Sequence, residues 1–135
     1  MEDPAKDNEY QKAKREAKEF YSRIGHVWCA TLNEYVAFNA VGFRHLMRKH
    51  GKLRQKSEQK RRFRLLEYAQ EILESPDSYF VKERTVEEVV KWRGRKILKN
   101  VSAKFWSLKK RKNGRIVNLI VRQLEANQVH FFSIY

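Results

Sequence analysis

The dipeptide Asn113-Gly114, set between two β-rich runs, constrains the fold of this chain more than any other feature. A two-residue type I′ hairpin turn needs positive φ at both central positions, and Asn-Gly supplies it at low steric cost. Val101 to Leu108 alternates ahead of the turn, Ile116 to Leu124 follows it, and Val129 to Tyr135 forms a third run. Three antiparallel strands are expected. The turn also sets the register: Lys112 pairs with Arg115, Trp106 faces Val121 and Leu108 faces Leu119, which makes that face core. The opposite face then carries Phe105, Ser107, Ile116, Asn118, Ile120 and Arg122. An arginine thus projects from a central strand on the more open side, where it asks for an anion. An ion pair with Glu125 or another carboxylate is the alternative. The next turn, near Ala126-Asn127, leaves two registers open: one puts Ser133 with Ile120 and Arg122 and sends His130 to the covered face, the other brings His130 beside Arg122.

Upstream the pattern is helical. Asn8 to Arg23 is rich in Ala, Lys, Glu and Gln, with Ala13, Ala17, Phe20 and Tyr21 at helical spacing and Gly25 as the stop. Its small apolar face suits a lid over the domain or an arm offered to a partner. Val27 to Leu32 and Tyr35 to Phe38 read as short strands. Asn39 is an N-cap, because Val41, Phe43, Leu46, Met47 and His50 follow at helical spacing and Gly51 closes the run; His45 lies off the Phe43–Leu46–Met47 face. A longer helix runs from Ser57 to Pro76, with Phe63, Leu66 and Leu73 on its stripe. Lys60, Arg61, Arg62 and Arg64 sit in its first turns, against the macrodipole, so these cations serve something other than helix stability. Tyr79-Phe80-Val81 reads as a strand and Thr85 to Trp92 as a brief helix or loop. Helices first and a β-meander last predict an α+β fold, with helices packed on one face of a C-terminal antiparallel sheet.

At 135 residues there is room for a single domain, divided by charge into a helical extension over 1–25 and an α+β domain over 26–135. The extension balances six acidic residues (Glu2, Asp3, Asp7, Glu9, Glu16, Glu19) against six basic ones (Lys6, Lys12, Lys14, Arg15, Lys18, Arg23), so the whole net charge of +14 belongs to 26–135. A polyanion is the expected partner. No apolar run is long enough to span a membrane, and Met1 is followed by Glu2, Asp3 and Pro4 rather than by a signal peptide, so a cytoplasmic site of action is expected. Cys29 is a lone cysteine in an apolar neighbourhood, which leaves no disulfide framework or zinc finger.

P-loop, GxGxxG, HExxH and GxSxG patterns are all missing, as is a clustered carboxylate set able to hold magnesium. No cofactor and no metal is expected. Histidine and arginine in a basic chain suit RNA cleavage in which the 2′-hydroxyl attacks its own phosphate: one group titrating near neutrality moves a proton, and fixed cations stabilise charge on the phosphoryl oxygens.

Phe38-Asn39-Ala40-Val41-Gly42-Phe43-Arg44-His45-Leu46, then Arg61-Arg62-Phe63-Arg64-Leu65-Leu66, and finally Val121-Arg122-Gln123 with His130-Phe131-Phe132-Ser133-Ile134, resemble the phage-type nucleases of the barnase, EndoU, colicin and RelE-like superfamily. The resemblance spans roughly residues 35–135 and leaves out the N-terminal helix. It implies a small metal-independent endoribonuclease with helices on an antiparallel sheet, acting as a toxin of a toxin–antitoxin, contact-dependent inhibition or phage-conflict system. Carried over, it points to His45 as the proton-transfer group, Arg122 and Arg62 as phosphate and transition-state cations, and His130 and Ser133 on the last strand, Ser133 as a hydrogen-bonding positioner. Arg44, Arg48, Lys60, Arg61, Arg64 and Lys104 are candidates for holding substrate phosphates. Such a toxin implies RNA as substrate and an acidic antitoxin or immunity protein that masks the basic cleft. Two other functions fit the composition: a non-catalytic RNA- or DNA-binding module stacking bases on Trp28, Trp92 and Trp106, and a structural component of a ribonucleoprotein or phage assembly.

Overall fold

The computed structural model describes residues 4–135. Met1, Glu2 and Asp3, on which the reading of the chain's start rests, lie outside them. The chain forms an α+β fold. Four helical segments, α1 (Pro4–Ile24), α2 (Ala40–Met47), α3 (Lys56–Leu65) and α4 (Ala69–Glu74), accompany six strands of one sheet: β1 (His26–Cys29), β2 (Glu34–Ala37), β5 (Ser78–Trp92), β6 (Arg95–Lys112), β7 (Arg115–Leu124) and β8 (His130–Ile134). Two short strands, β3 (Arg48–Lys49) and β4 (Lys52–Leu53), form a separate hairpin. The large sheet runs β1-β2-β8-β7-β6-β5, antiparallel except where β2 lies parallel to β8.

The Asn113-Gly114 turn forms as its chemistry requires, with φ of 51° and 76°, and it delivers the expected pairs Lys112↔Arg115, Leu108↔Leu119 and Trp106↔Val121. Leu108, Leu119 and Val121 are fully buried under the helices. Asn39 caps α2, its side chain accepting from the Gly42 amide at 3.4 Å, and Gly25 ends α1 with φ of 66°. α2 stops at Met47, one turn short of its apolar spacing, because His50 and Gly51 both take positive φ and turn the chain into the β3–β4 hairpin. The run from 56 to 74 is almost one helix, interrupted by a 3₁₀ turn over Leu66–Tyr68.

One segment departs from the sequence pattern. Thr85 to Trp92 is neither helix nor loop but the outer half of β5, paired from Thr85↔Ser102 to Trp92↔Arg95 around a turn at Arg93 and Gly94 with φ of 50° and 75°. Each face of this ribbon mixes apolar and charged residues, Val86, Glu88 and Val90 on one and Glu87, Val89 and Lys91 on the other, so the period of two is hidden in the sequence. Arg93 also takes a position that Asn or Asp occupies more readily.

The core lies between the helices and the covered sheet face, and α1 belongs to it through Tyr10, Ala17 and Tyr21. Tyr10 donates to the buried side chain of Gln59 on α3, whose amide in turn donates to the Arg54 carbonyl at 2.8 Å. Tyr21 donates to the Asn39 carbonyl at 2.6 Å and packs against Phe38, Phe43 and Phe131. Among the described residues no helix is long and apolar enough to cross a membrane.

Gly42 is where α2 comes closest to β8. A Cβ there would run into the Phe131 carbonyl oxygen, the Phe131 ring and the Tyr21 hydroxyl. Backbone cannot yield as a side chain can, so Gly42→Ala is expected to cost about 1–3 kcal/mol through overpacking. Thermal unfolding measures it, and an unchanged Tm would contradict the close approach.

Candidate active site

β8 decides which side chains meet. Arg122 pairs with His130, Val121 with Phe131, and then Ile120 with Ser133, so Phe132 is an extra residue opposite the Ile120–Val121 step. This bulge reconciles the two registers left open by the sequence. Because pairing slips by one residue between Phe131 and Ser133, both His130 and Ser133 stand on the face of Arg122.

The result is a cleft of about 980 Å³ lined by His45, Arg62, Arg122 and Ser133 together with Arg54, Lys82, Arg84 and Glu88. Phe132 and Phe105 form its floor, in edge contact at 5.6 Å. The Arg122 guanidinium lies 4.5 Å above the Phe132 ring, Arg84 4.5 Å above Phe105, and the His45 imidazole 4.1 Å from Phe132. Aromatic faces under the cations fix their positions while leaving N–H edges for an anion.

Arg62 is buried, reaching across from α3 to β8. Its Nε donates to Glu58 Oε1 at 2.9 Å, and its Nη1 donates to Ser133 Oγ at 2.9 Å and to the Ile134 carbonyl at 3.3 Å. Burial of a guanidinium requires such partners. Because α3 ends at Leu65 rather than running on to Pro76, Arg62 and Arg64 stand in its last turn, where the macrodipole favours cations, and the expected opposition to the dipole does not arise for them. Glu58 also accepts two bonds from Arg61, and these arginines hold its carboxyl down at about 2. Arg122 donates from Nε to His130 Nε2 at 3.0 Å and from Nη1 to Glu88 Oε1 at 3.2 Å. The carboxylate partner of Arg122 is therefore Glu88, not Glu125.

That contact bends the sheet. Lys82, Phe105 and Arg122 stand side by side across β5, β6 and β7, and Glu88 is six residues further along β5. On a flat sheet those six residues would carry it about 20 Å away. The β5–β6 ribbon instead coils over the cleft, and Glu88 closes it from above.

His45 and His130 are both neutral at physiological pH. Burial drives His45 down to about 4, assisted by Arg54, Arg62, Arg122 and His50, and its Nδ1 is a buried polar atom with no hydrogen-bond partner. Burial likewise drives His130 to about 4, with Arg122 adding to the effect. His130 accepts from Arg122 and lies beneath the cleft rather than in it, so it orients the guanidinium.

The cleft brings together His45, Arg62, Arg122 and Ser133. The residues expected to hold phosphates fall elsewhere. Arg44 lines a groove beside Tyr21 and Phe38; Lys60 and Arg64 line another between α1 and α3. Arg48 is turned to the Gly51 carbonyl at 3.1 Å, Arg61 is held by Glu58, and Lys104 projects from the helix-covered face beside Trp106 and Glu83. Lys49, His50, Arg54, Lys82 and Arg84 take their place on the cleft wall. The period-two spacing of Phe80, Lys82 and Arg84 was the signal for two of them. Among the described residues no three of His, Cys, Asp and Glu gather as a metal set would. Cys29 is buried, and burial raises its thiol pKa.

No protein-family model, curated protein or solved structure matches this chain.

The lowered histidine pKa values make folding pH-dependent. Below about 6.5, the ordinary histidine value, the unfolded chain takes up protons that folded His45 and His130 refuse until pH approaches about 4. Stability present above 6.5 is therefore lost as the pH falls toward 4, on the order of 1–3 kcal/mol for buried His130. Tm measured across that window is expected to drop, and His130→Asn to flatten the drop in part. A Tm independent of pH over the window would contradict the burial of both rings.

Proposed function

We propose that this chain is a metal-independent endoribonuclease that cleaves RNA by attack of the 2′-hydroxyl on the adjacent phosphate. The observation that carries the reading is the convergence of two anchored arginines, Arg62 and Arg122, with a neutral imidazole, His45, in one cleft. Transesterification needs a proton acceptor and preorganised positive charge facing the phosphoryl oxygens. His45, unprotonated above about 4, takes the proton of the 2′-hydroxyl. Arg122 and Arg62 hold the non-bridging oxygens as the new P–O bond forms and the bond to the 5′-oxygen breaks. Ser133, which accepts from Arg62, keeps a hydroxyl proton to donate to phosphate. The products are a 2′,3′-cyclic phosphate and a 5′-hydroxyl that receives a proton from the imidazolium or from water. A bound phosphate brings negative charge beside His45, which raises its pKa toward neutrality and suits it to the return step.

The resemblance to the barnase, EndoU, colicin and RelE-like nucleases agrees with these positions, and with it a role as a toxin acting in the cytoplasm and restrained by an acidic antitoxin or immunity protein. Glu88 on Arg122 shows how a carboxylate fits the site, and an acidic inhibitor would present the same group.

Incubation with RNA in EDTA is expected to yield cyclic-phosphate ends. His45→Ala is expected to lose about 10²-fold or more in rate, and Arg122→Ala about 10²–10³-fold, each with folding retained by circular dichroism. Salt-dependent binding without cleavage would replace the enzyme reading with that of a binding module. Because the Glu88 carboxylate competes with phosphate for Arg122, Glu88→Gln is expected to tighten binding of 2′-O-methyl RNA about fivefold, the equivalent of about 1 kcal/mol for a partly exposed ion pair. Unchanged or weaker binding, measured by fluorescence anisotropy, would mean that Glu88 does not occupy the phosphate position.

A further inference from the structure

From the Thr85↔Ser102 pair outward the β5–β6 ribbon has no neighbouring strand, since β7 pairs with β6 only from Ala103 onward. Its eight pairs extend about 23 Å at strand rise. A free ribbon of this length buries little and is not needed for the core, whose residues lie elsewhere. Its tip, Lys91-Trp92-Arg93-Gly94-Arg95-Lys96, carries four cations and no acid, and every residue in it is exposed. Pair register places Trp92, Arg95 and Lys99 on the same ribbon face as Glu88, the face that coils over the cleft. Trp92 is 56% exposed and backed by the Arg93 guanidinium at 4.4 Å, which holds the indole. The Val90↔Ile97 pair lies between Glu88↔Lys99 and Trp92↔Arg95 on the cleft face, while the opposite face carries Val89 and Leu98 with Lys91 and Lys96.

We propose that this ribbon is an RNA-binding arm: a single strand leaving the cleft runs along the face shared by Glu88, Lys99, Arg95 and Trp92, with a base stacked on Trp92 at the tip. The assignment rests on the endoribonuclease reading for the cleft and extends it to the flanking nucleotides. Continuity of the face with the cleft, positive charge without acid at the tip, and an exposed aromatic held by a cation are the features that single-strand recognition uses.

The test uses the full chain and a labelled 2′-O-methyl RNA single strand of about 16 nucleotides, near the upper end of common single-strand site sizes, so that binding is read without cleavage. Trp92→Ala is expected to weaken binding about fivefold or more. The triple variant Arg93→Gln, Arg95→Gln, Lys99→Gln is expected to reduce the slope of log K against log salt by about 2, at roughly 0.7 per lost single-strand phosphate contact. Val89→Ser with Leu98→Ser, on the other face, is expected to bind RNA as the native chain does. Cleavage of a dinucleotide, too short to reach the tip, is expected to stay at the native rate in all three. Native affinity for the long strand in Trp92→Ala and the triple variant overturns the arm, as does an equal loss in the Val89/Leu98 variant, which would mean that RNA binding does not distinguish the two faces of the ribbon. The two readings fail separately. Cleavage with arm-independent binding removes the arm alone, and arm-dependent binding without any cleavage removes the nuclease alone.

Discussion

Between Ile120 and Val121 the β7–β8 ladder takes in one extra residue, Phe132, and because side chains on a strand alternate with a period of two, that insertion turns His130 and Ser133 to the same face. The remaining cleft contacts follow from it. His130 meets Arg122 from the side, Ser133 meets Arg62 from α3, and the Phe132 ring is left to form the floor under Arg122 and His45. A regular strand would have sent either His130 or Ser133 into the helical core, where an unpaired polar group is costly.

The electrostatics of the cleft follow from burial. Arg62 and Arg122 are each nine-tenths or more out of solvent, so each needs acceptors: Glu58, Ser133 and a main-chain carbonyl for one, His130 and Glu88 for the other. Burial also penalises protonation of the two imidazoles, and the fixed positive charge beside them adds to it, which is why both histidines are pressed well below their ordinary value. Neutral base and fixed cations are thus two consequences of one arrangement. Glu88 keeps its hold on Arg122 only because the β5–β6 ribbon coils, so the shape of the ribbon and the charge of the cleft are coupled.

The helices hold this arrangement in register. Gly42 lets α2 sit against Phe131, next to the bulge, and Tyr21 from α1 packs on the same point. Tyr10 and Gln59 tie α1 to α3, the helix that carries Arg62. The N-terminal segment, balanced in charge and poor in apolar residues, thereby supports the cleft from behind without lining it.

Much of this was legible in the residues. Asn113-Gly114 determined a hairpin and its register because a two-residue turn leaves little choice of pairing, and Asn39 and Gly25 marked helix ends because capping is local chemistry. Arg122 on the open face followed from that register. The ribbon is hidden because each of its faces mixes apolar and charged residues, which removes the alternation that reveals a strand, and Lys82 and Arg84 reach the cleft from that same β5 strand. Lys60, Arg64 and Arg44, candidates for holding substrate phosphates, neighbour Arg62 and His45 in sequence but line other grooves. A helix disperses consecutive residues around its axis, and only one face reaches the cleft. By itself the sequence determined the elements whose signals are local, namely turns, caps and the α+β order. Only the tertiary structure decided the bulge at Phe132, the coil of the ribbon and the pairing of Arg122 with Glu88, because each depends on contacts between residues far apart in the chain.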